Sequence, residues 1–303
     1  MITMHPCQIS KIRLKHRRNI IFAIRGDSIK GRKSLGIIVC ILLLFPSLVS
    51  AELKIHFIDV GQGDAIFVQC DSETLLVDAG PADAGETVNK YLINNQGLEK
   101  VDYVIATHEH DDHLGGMKMA LHGLSVGHVY SSPLVSSSFW FQTILPVLKQ
   151  DGLDISYPAA MDSFKLGEAT VTFINVLPEP QNSNDRSLVI RIEYEENTAL
   201  LTADIETEAE TYMIEYGVPL KSDLIKVAHH GGNTSSTEAF IRAVSPNIAV
   251  ISVGVGNPHG HPHAEPLRTL EKQGTIIYRT DYYGTIICTS NGSEWTVEVS
   301  KAR

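Results

Sequence analysis

Cysteine is scarce in this sequence: four in 303 residues, of which Cys7 and Cys40 fall within the first 51. Beyond residue 51 only Cys70 and Cys288 remain, so a disulfide framework is excluded as the source of stability. These two sit on predicted strands far apart in sequence, and a single bridge and two buried free thiols are both open. Heptads and low-complexity tracts are missing as well, and the one interior linker candidate is Leu177 to Asp185. A single compact domain over residues 52–303 is the simplest account.

Long apolar runs are equally rare. Leu35 to Val49 is shorter than the roughly 20 residues that a bilayer-spanning helix needs, and Pro46 interrupts it. Nine Lys or Arg and one acid precede it between Lys11 and Lys33, and Ser50-Ala51-Glu52 follow. That is the basic, apolar, small order of an export signal. We expect residues 1–51 to be a signal peptide cut after Ala51, and residues 52–303 to be periplasmic or secreted, with no stable membrane span after cleavage. An uncleaved anchor is the alternative. A channel is excluded, because no series of spans exists.

Positive charge is also in short supply. Past Ala51 the chain holds 16 Lys and Arg against 34 Asp and Glu, a net charge of −18, where the whole chain carries −10. Such a field repels polyanions, so nucleic acid is a possible but disfavoured partner.

What is present is a series of short strands, then helices alternating with strands, and then the same again. Strands are predicted at Leu53–Ile58, Ala65–Gln69, Thr74–Val77 and Tyr103–Ala106, with helices at Glu86–Asn94 and after Gly116. A second series places strands at Thr170–Ile174, Leu188–Tyr194, Ala199–Thr202, Leu224–Ala228 and Ile248–Val253. Helices follow at Glu206–Glu215, Thr237–Ala243 and Pro266–Lys272, and the chain closes with strands at Ile276–Tyr278, Thr285–Cys288 and Trp295–Val299. Two such series predict two sheets face to face with helices outside.

Histidine is concentrated where the strand Tyr103–Ala106 ends, in Thr107-His108-Glu109-His110-Asp111-Asp112-His113. In an extended segment His108 and His110 project to the same side and can grip one ion. Asp112 and His113 lie at the turn into a helix and can serve a second ion close by. Gly115 and Gly116 leave room for that helix to start near the site. Three imidazoles and a carboxylate this close would repel one another when protonated unless a cation organises them.

The segment resembles the signature of the metallo-β-lactamase superfamily. Further segments, namely Asp59-Val60-Gly61-Gln62-Gly63-Asp64-Ala65, Val77-Asp78-Ala79-Gly80, Leu201-Thr202-Ala203-Asp204, His229-His230-Gly231-Gly232 and Gly260-His261-Pro262, resemble one branch of it. That branch is the hydrolase domain of ComEC-type DNA-uptake proteins, with its free-standing exported relatives, and the likeness runs over about residues 53–290. It implies an α+β fold, a four-layer αββα sandwich of two mixed sheets with helices outside. It also implies that Asp204 bridges two divalent metal ions, zinc foremost with manganese open, and that one of His229 and His230 completes the second metal. An apolar strand ending in Asp204 agrees, since a buried carboxylate needs a partner, although a helix N-cap is the other reading there.

One departure is informative. No histidine occurs between His128 and His229, an interval from which many members of the superfamily supply a third imidazole to the first metal. His108, His110 and Asp204 would then hold it with water or Asn184, which counts against β-lactam hydrolysis and leaves the metal undecided.

Around the centre, Asp78 resembles the aspartate that orients metal-bound groups. Asp59 and Asp64 flank a glycine turn that could approach substrate, or form an ordinary hairpin. Thr234, Ser235 and Ser236 precede a helix, where they could meet a phosphate oxygen or cap the helix. His261 resembles a substrate-side residue of the family, while His259 and His263 stand beside it in a loop of uncertain geometry; Asp281, in Arg279-Thr280-Asp281, also matches the family pattern, with a strand-ending turn as the other reading.

Two cations sharing Asp204 would generate hydroxide from water at neutral pH for attack on phosphorus. Asp112, or whichever of His229 and His230 is free of metal, would pass a proton to the leaving group. The expected function is therefore a metal-dependent phosphodiesterase or nuclease. The alternatives are a hydrolase of another envelope or small-molecule substrate, such as a phosphocholine ester, lactone or amide, and a binding module without turnover.

Overall fold

A computed structural model describes residues 52–132, 139, 141–144, 153, 155–174, 177 and 180–302. The expected leader, with Cys7 and Cys40, lies outside the described residues.

The chain opens with the antiparallel meander β1 (Leu53–Phe57), β2 (Ile66–Cys70) and β3 (Glu73–Val77), as the alternation predicts. β4 (Lys100–Ala106), β5 (Ser125–Ser131) and β6 (Ile155–Ser156) extend it in parallel on one side. On the other side stand β14 (Ile286–Ser290) and β15 (Trp295–Val299). The second sheet takes β7 (Ser163–Leu166), β8 (Ala169–Phe173), β9 (Ile190–Tyr194) and β10 (Asn197–Leu201) as an antiparallel series. It continues in parallel through β11 (Leu224–Lys226), β12 (Ile248–Ile251) and β13 (Ile276–Arg279).

Side chains along a strand alternate between faces, and here the two faces enter different cores. Leu53, Ile55, Phe57, Val68 and Leu75 face inward and meet Val171, Ile190, Ile192 and Leu201 of the second sheet. Phe67, Leu76 and Val104 point the other way, under the helices Gly85–Lys90 and Met117–Ala120. Leu200, Ile225 and Ala249 lie under the helices Thr207–Tyr216, Glu238–Val244 and Ala264–Gln273. The result is the expected αββα sandwich. Among the described residues no helix is long and apolar enough to cross a membrane.

Three differences from the sequence reading have physical causes. Strand β5, SVGHVYS, carries polar residues and Gly127 and lacks a clean alternation. It forms because Gly127 lets its backbone approach β4 so closely that a Cβ there would sit 2.4 Å from the Asp102 carbonyl. β7 pairs with β8 as a hairpin that the charged sequence SFKL does not announce. The helix expected after Gly116 begins earlier, as two short pieces, Asp111–Leu114 and Met117–Ala120. Gly116 separates them and rests on the chain after β3, where a Cβ would meet the Ala79 carbonyl at 2.3 Å.

Cys70 and Cys288 are buried free thiols. β1 lies between their strands, with Leu53 opposite Cys70 and Ile55 opposite Cys288, which puts the two cysteines about 12 Å apart, beyond disulfide reach.

Candidate metal centre

The parallel strands β3 and β4 of one sheet and β10, β11 and β12 of the other end at the same edge of the sandwich. The candidate residues follow directly after them, a placement common in α/β folds.

After β4 the chain stays extended as far as His110, whose φ of −73° and ψ of 152° precede the helix at Asp111. His108 Nε2 and His110 Nδ1 come within 3.1 Å of each other, as the spacing predicts. The helical turn then redirects the chain, bringing His113 Nε2 to 3.2 Å from Asp204 Oδ2. Asp204 follows Ala203, which has a left-handed φ of 46°. It does not cap the next helix: Glu206 holds the N-cap position, and its amide donates to Asp185 Oδ1 at 2.7 Å.

His229 and His230 occupy successive left-handed positions, φ 49° and 54°, and this turn sends the two rings to different places. His230 is buried, with Nε2 at 3.3 Å from both Asp204 Oδ2 and Asp112 Oδ2. His229 is partly exposed, with Nδ1 at 3.2 Å from Glu206 Oε1 and 3.1 Å from Thr234 Oγ1. The choice left open by the sequence therefore falls on His230 as the inward residue. Asp112, His113, Asp204 and His230 present ligand atoms that all lie within 4.8 Å of one another.

Each imidazole has its second nitrogen tied. His113 Nδ1 lies 2.7 Å from Asp78 Oδ2, and His230 Nδ1 donates to the Ser252 carbonyl at 2.8 Å. Ser183 Oγ is 2.6 Å from His110 Nε2, and Thr107 Oγ1 is 3.2 Å from His108 Nδ1. Meanwhile His113 Nε2 and His230 Nε2 are buried without a hydrogen-bond partner among the described residues. One nitrogen fixed and the other orphaned toward shared carboxylates is how metal-bound histidines are held, so the donor set fits divalent cations.

The electrostatics point the same way. Burial pulls the buried imidazoles down, yet the Asp204 carboxylate outweighs it, pushing His230 up to about 9 and His113 well above its ordinary range. Burial pushes Asp112 and Asp204 up, but His230 and His113 hold both well below the usual carboxylate range. Burial, with charge on His113, drives His108 well below the ordinary value. The directions agree that the carboxylates of the cluster attract positive charge.

Among the remaining residues singled out in the sequence, Asp64 and Asp78 are buried at the centre, and His261 meets His229 edge-on at 5.3 Å and lies stacked 6.4 Å from His230. Asn184 donates to Glu206 at 3.0 Å, and its buried Oδ1 has no partner among the described residues. Others are not brought in. Asp59 pairs with Lys301 at 2.7 Å, and Asp281 forms a forked pair with Arg279. The expected phosphate cradle at Ser235 and Ser236 is corrected: Ser235 Oγ donates to the Ala228 carbonyl at 3.0 Å, and the amides of Ser236 and Thr237 are taken by the buried Glu210 carboxylate. The cap of this helix is Thr237, one residue past the expected Thr234–Ser236, with its hydroxyl accepting from the Phe240 amide.

Sequence reasoning missed Lys226, Ser183 and Glu206. Lys226 is fully buried with Nζ 2.6 Å from Asp64 Oδ2, and a lysine at an inward position of a core strand was a readable signal. Ser183 and Glu206 carry no local signal, because they arrive through loops. Beside Asp112 opens a cleft of about 680 Å³ lined by Gly61, Gln62, Pro81, Asp83, Asp111 and His259 among others.

Residues 58–255 match the sequence model of the metallo-beta-lactamase superfamily. The chain is similar to ComE operon protein 3 of Bacillus subtilis, 28% identical over 289 residues, covering 88% of this chain and 37% of that protein. It is also similar to competence protein ComA of Neisseria gonorrhoeae, 27% identical over 240 residues, covering 78% of this chain and 32% of that protein. The chain thus spans about a third of the length of these curated relatives. Among solved structures it shares its fold with CmlA, a diiron β-hydroxylase from Streptomyces venezuelae, at a TM-score of 0.51 and 18% identity, over 75% of this chain and 52% of that one.

Proposed function

The chain belongs to the metallo-β-lactamase superfamily, and on that premise we propose that this metal-dependent hydrolase cleaves phosphodiesters at a centre of two divalent cations, zinc or manganese. The observation that carries the reading is the convergence of imidazoles with tied second nitrogens on Asp204. His108, His110 and Asp204 would hold one cation, and Asp112, His113, His230 and Asp204 the other. When bound, the cations supply Lewis-acid activation of water and neutralise charge at the bond being cleaved. Asp78, Ser183, Thr107 and the Ser252 carbonyl fix the ring orientations. His229, backed by Glu206 and partly exposed, is placed to deliver a proton to a departing oxygen. The phosphodiester is supported by the motif resemblance to ComEC-type hydrolase domains and by similarity to ComE operon protein 3 and competence protein ComA.

The test is cleavage of bis-p-nitrophenyl phosphate and of single-stranded DNA by protein loaded with zinc or manganese. We expect turnover that chelator and His110→Ala both abolish. Full activity after either treatment removes the reading.

A second reading, a small envelope ester such as a phosphocholine ester, is favoured by the cleft beside Asp112, where Asp83 and Asp111 oppose a polyanion. DNA left intact while a small chromogenic ester is cleaved would select it. We also propose that residues 52–303 work outside the cytoplasm, which recovery of the protein from the periplasmic or culture fraction would support and recovery from the cytoplasmic fraction would contradict.

A further inference from the structure

A lysine occupies a core position directly beneath the centre. Strand β11 sends Leu224 between the sheets and Ile225 under the helices, so Lys226 returns to the inter-sheet side, where it is fully buried. Its ammonium group meets three oxygens: Asp64 Oδ2 at 2.6 Å, the Ala203 carbonyl at 2.7 Å and Asp204 Oδ1 at 3.3 Å. Apolar alternation would put an aliphatic side chain here, and a buried ammonium is costly unless its partners are fixed.

Those contacts divide the two oxygens of Asp204. Oδ1 faces Lys226, while Oδ2 faces His113 and His230 at 3.2 and 3.3 Å and His108 at 4.0 Å. Lys226 also takes the carbonyl of Ala203, the residue whose φ of 46° is unfavourable for a side chain with a Cβ. One ammonium therefore holds both the strained turn and the rotation of the carboxylate that follows it. Asp64 anchors that ammonium from the first sheet, across the sandwich.

We propose that Lys226 is a positioning residue that, clamped by Asp64, locks the Ala203–Asp204 turn so that Asp204 offers Oδ2 alone to the cations. The proposal rests on the two-cation reading above. Its sign separates it from a simple charge effect. By electrostatics alone, removing a positive charge 3.3 Å from a ligand carboxylate tightens cation binding, whereas loss of positioning weakens it.

The experiment is a manganese and zinc titration of the full chain by calorimetry, with circular dichroism to establish folding. Wild type is expected to bind two equivalents, and folded Lys226→Met to bind at least one of them roughly 10- to 100-fold more weakly. Unchanged or tighter binding overturns the proposal. Lys226→Met leaves two buried carboxylates without their cation and can fail to fold, so Lys226→Met/Asp64→Asn is the second variant. It removes the charge pair with no change in net charge, and the same weakening is expected; wild-type affinity in it overturns the proposal. Wild type that binds neither metal overturns the two-cation reading itself, and that failure is told apart because it shows in the unmutated chain.

Discussion

Asp78 Oδ2 lies 2.7 Å from His113 Nδ1 and also accepts the Thr107 hydroxyl at 2.6 Å. Asp78 is buried, and its φ of 56° is left-handed, so its backbone and its carboxylate are both committed to orienting the ring. Asparagine tolerates that backbone conformation and matches the size, but its NH2 replaces one of the two acceptor oxygens, so a donor then faces either the Thr107 amide or the His113 ring and Thr107 hydroxyl. Asp78→Asn should stay folded and weaken divalent-cation binding by roughly 10- to 100-fold. Metal titration beside a melting curve checks this, and unchanged affinity would contradict the role.

The part of the centre carried by one short segment was legible, because His108, His110, Asp112 and His113 need only an extended run and one helical turn to converge. Asp204 and the His229/His230 pair were reached through resemblance, and which histidine turns inward depends on two left-handed residues that no spacing reveals. Ser183, Glu206 and Lys226 act across loops or between sheets, so their roles exist only in three dimensions. The same holds for the sheets: the meander β1 to β3 alternates cleanly, whereas β5 is a strand because of what β4 offers it.

Ser183 stands 2.6 Å from His110 Nε2 and supplies that ring's second contact. Ser183→Ala should leave the fold intact, since the side chain is small and part-buried, and should weaken the cation shared by His108 and His110 by about tenfold. Titration should show the other equivalent nearly unaffected. Equal weakening of both would mean that Ser183 acts on the loop as a whole.

Glu210 is fully buried on the helix Thr207–Tyr216 and accepts from the amides of Ser236 and Thr237. Glu210→Leu leaves those two donors without a partner, at a cost of about 2–4 kcal/mol. Urea unfolding should show that loss. A change below about 0.5 kcal/mol would mean that other groups satisfy the loop.

Cys70 and Cys288 face the inter-sheet core, and burial pushes the Cys288 thiol up to about 12 and Cys70 above its ordinary value. Both should resist alkylation in the native protein and react once it is unfolded in guanidinium, as read by peptide mass spectrometry. A cross-linked Cys70–Cys288 peptide found without reductant would contradict the strand order.

His56 offers a pH test on the far side of the first sheet, among the core under the helices. It packs edge-on against Phe67, its Nδ1 lies 2.7 Å from the Tyr91 hydroxyl, and its Nε2 is buried without a partner among the described residues. Burial, assisted by the charge of Lys54, lowers it to about 4 from an ordinary 6.5. The unfolded chain thus binds a proton that the folded chain refuses. The stability contributed by neutral His56 is complete above pH 6.5 and is lost as pH falls toward 4, a change of at most about 3 kcal/mol. Glutamine keeps a partner for Tyr91 and does not titrate. His56→Gln should therefore lose less melting temperature than wild type between pH 7.5 and 5, and because the other histidines titrate in both proteins, the difference isolates this ring. Equal losses would mean that His56 gains water or an anion on protonation, and that the core beneath the helices opens more readily than its packing implies.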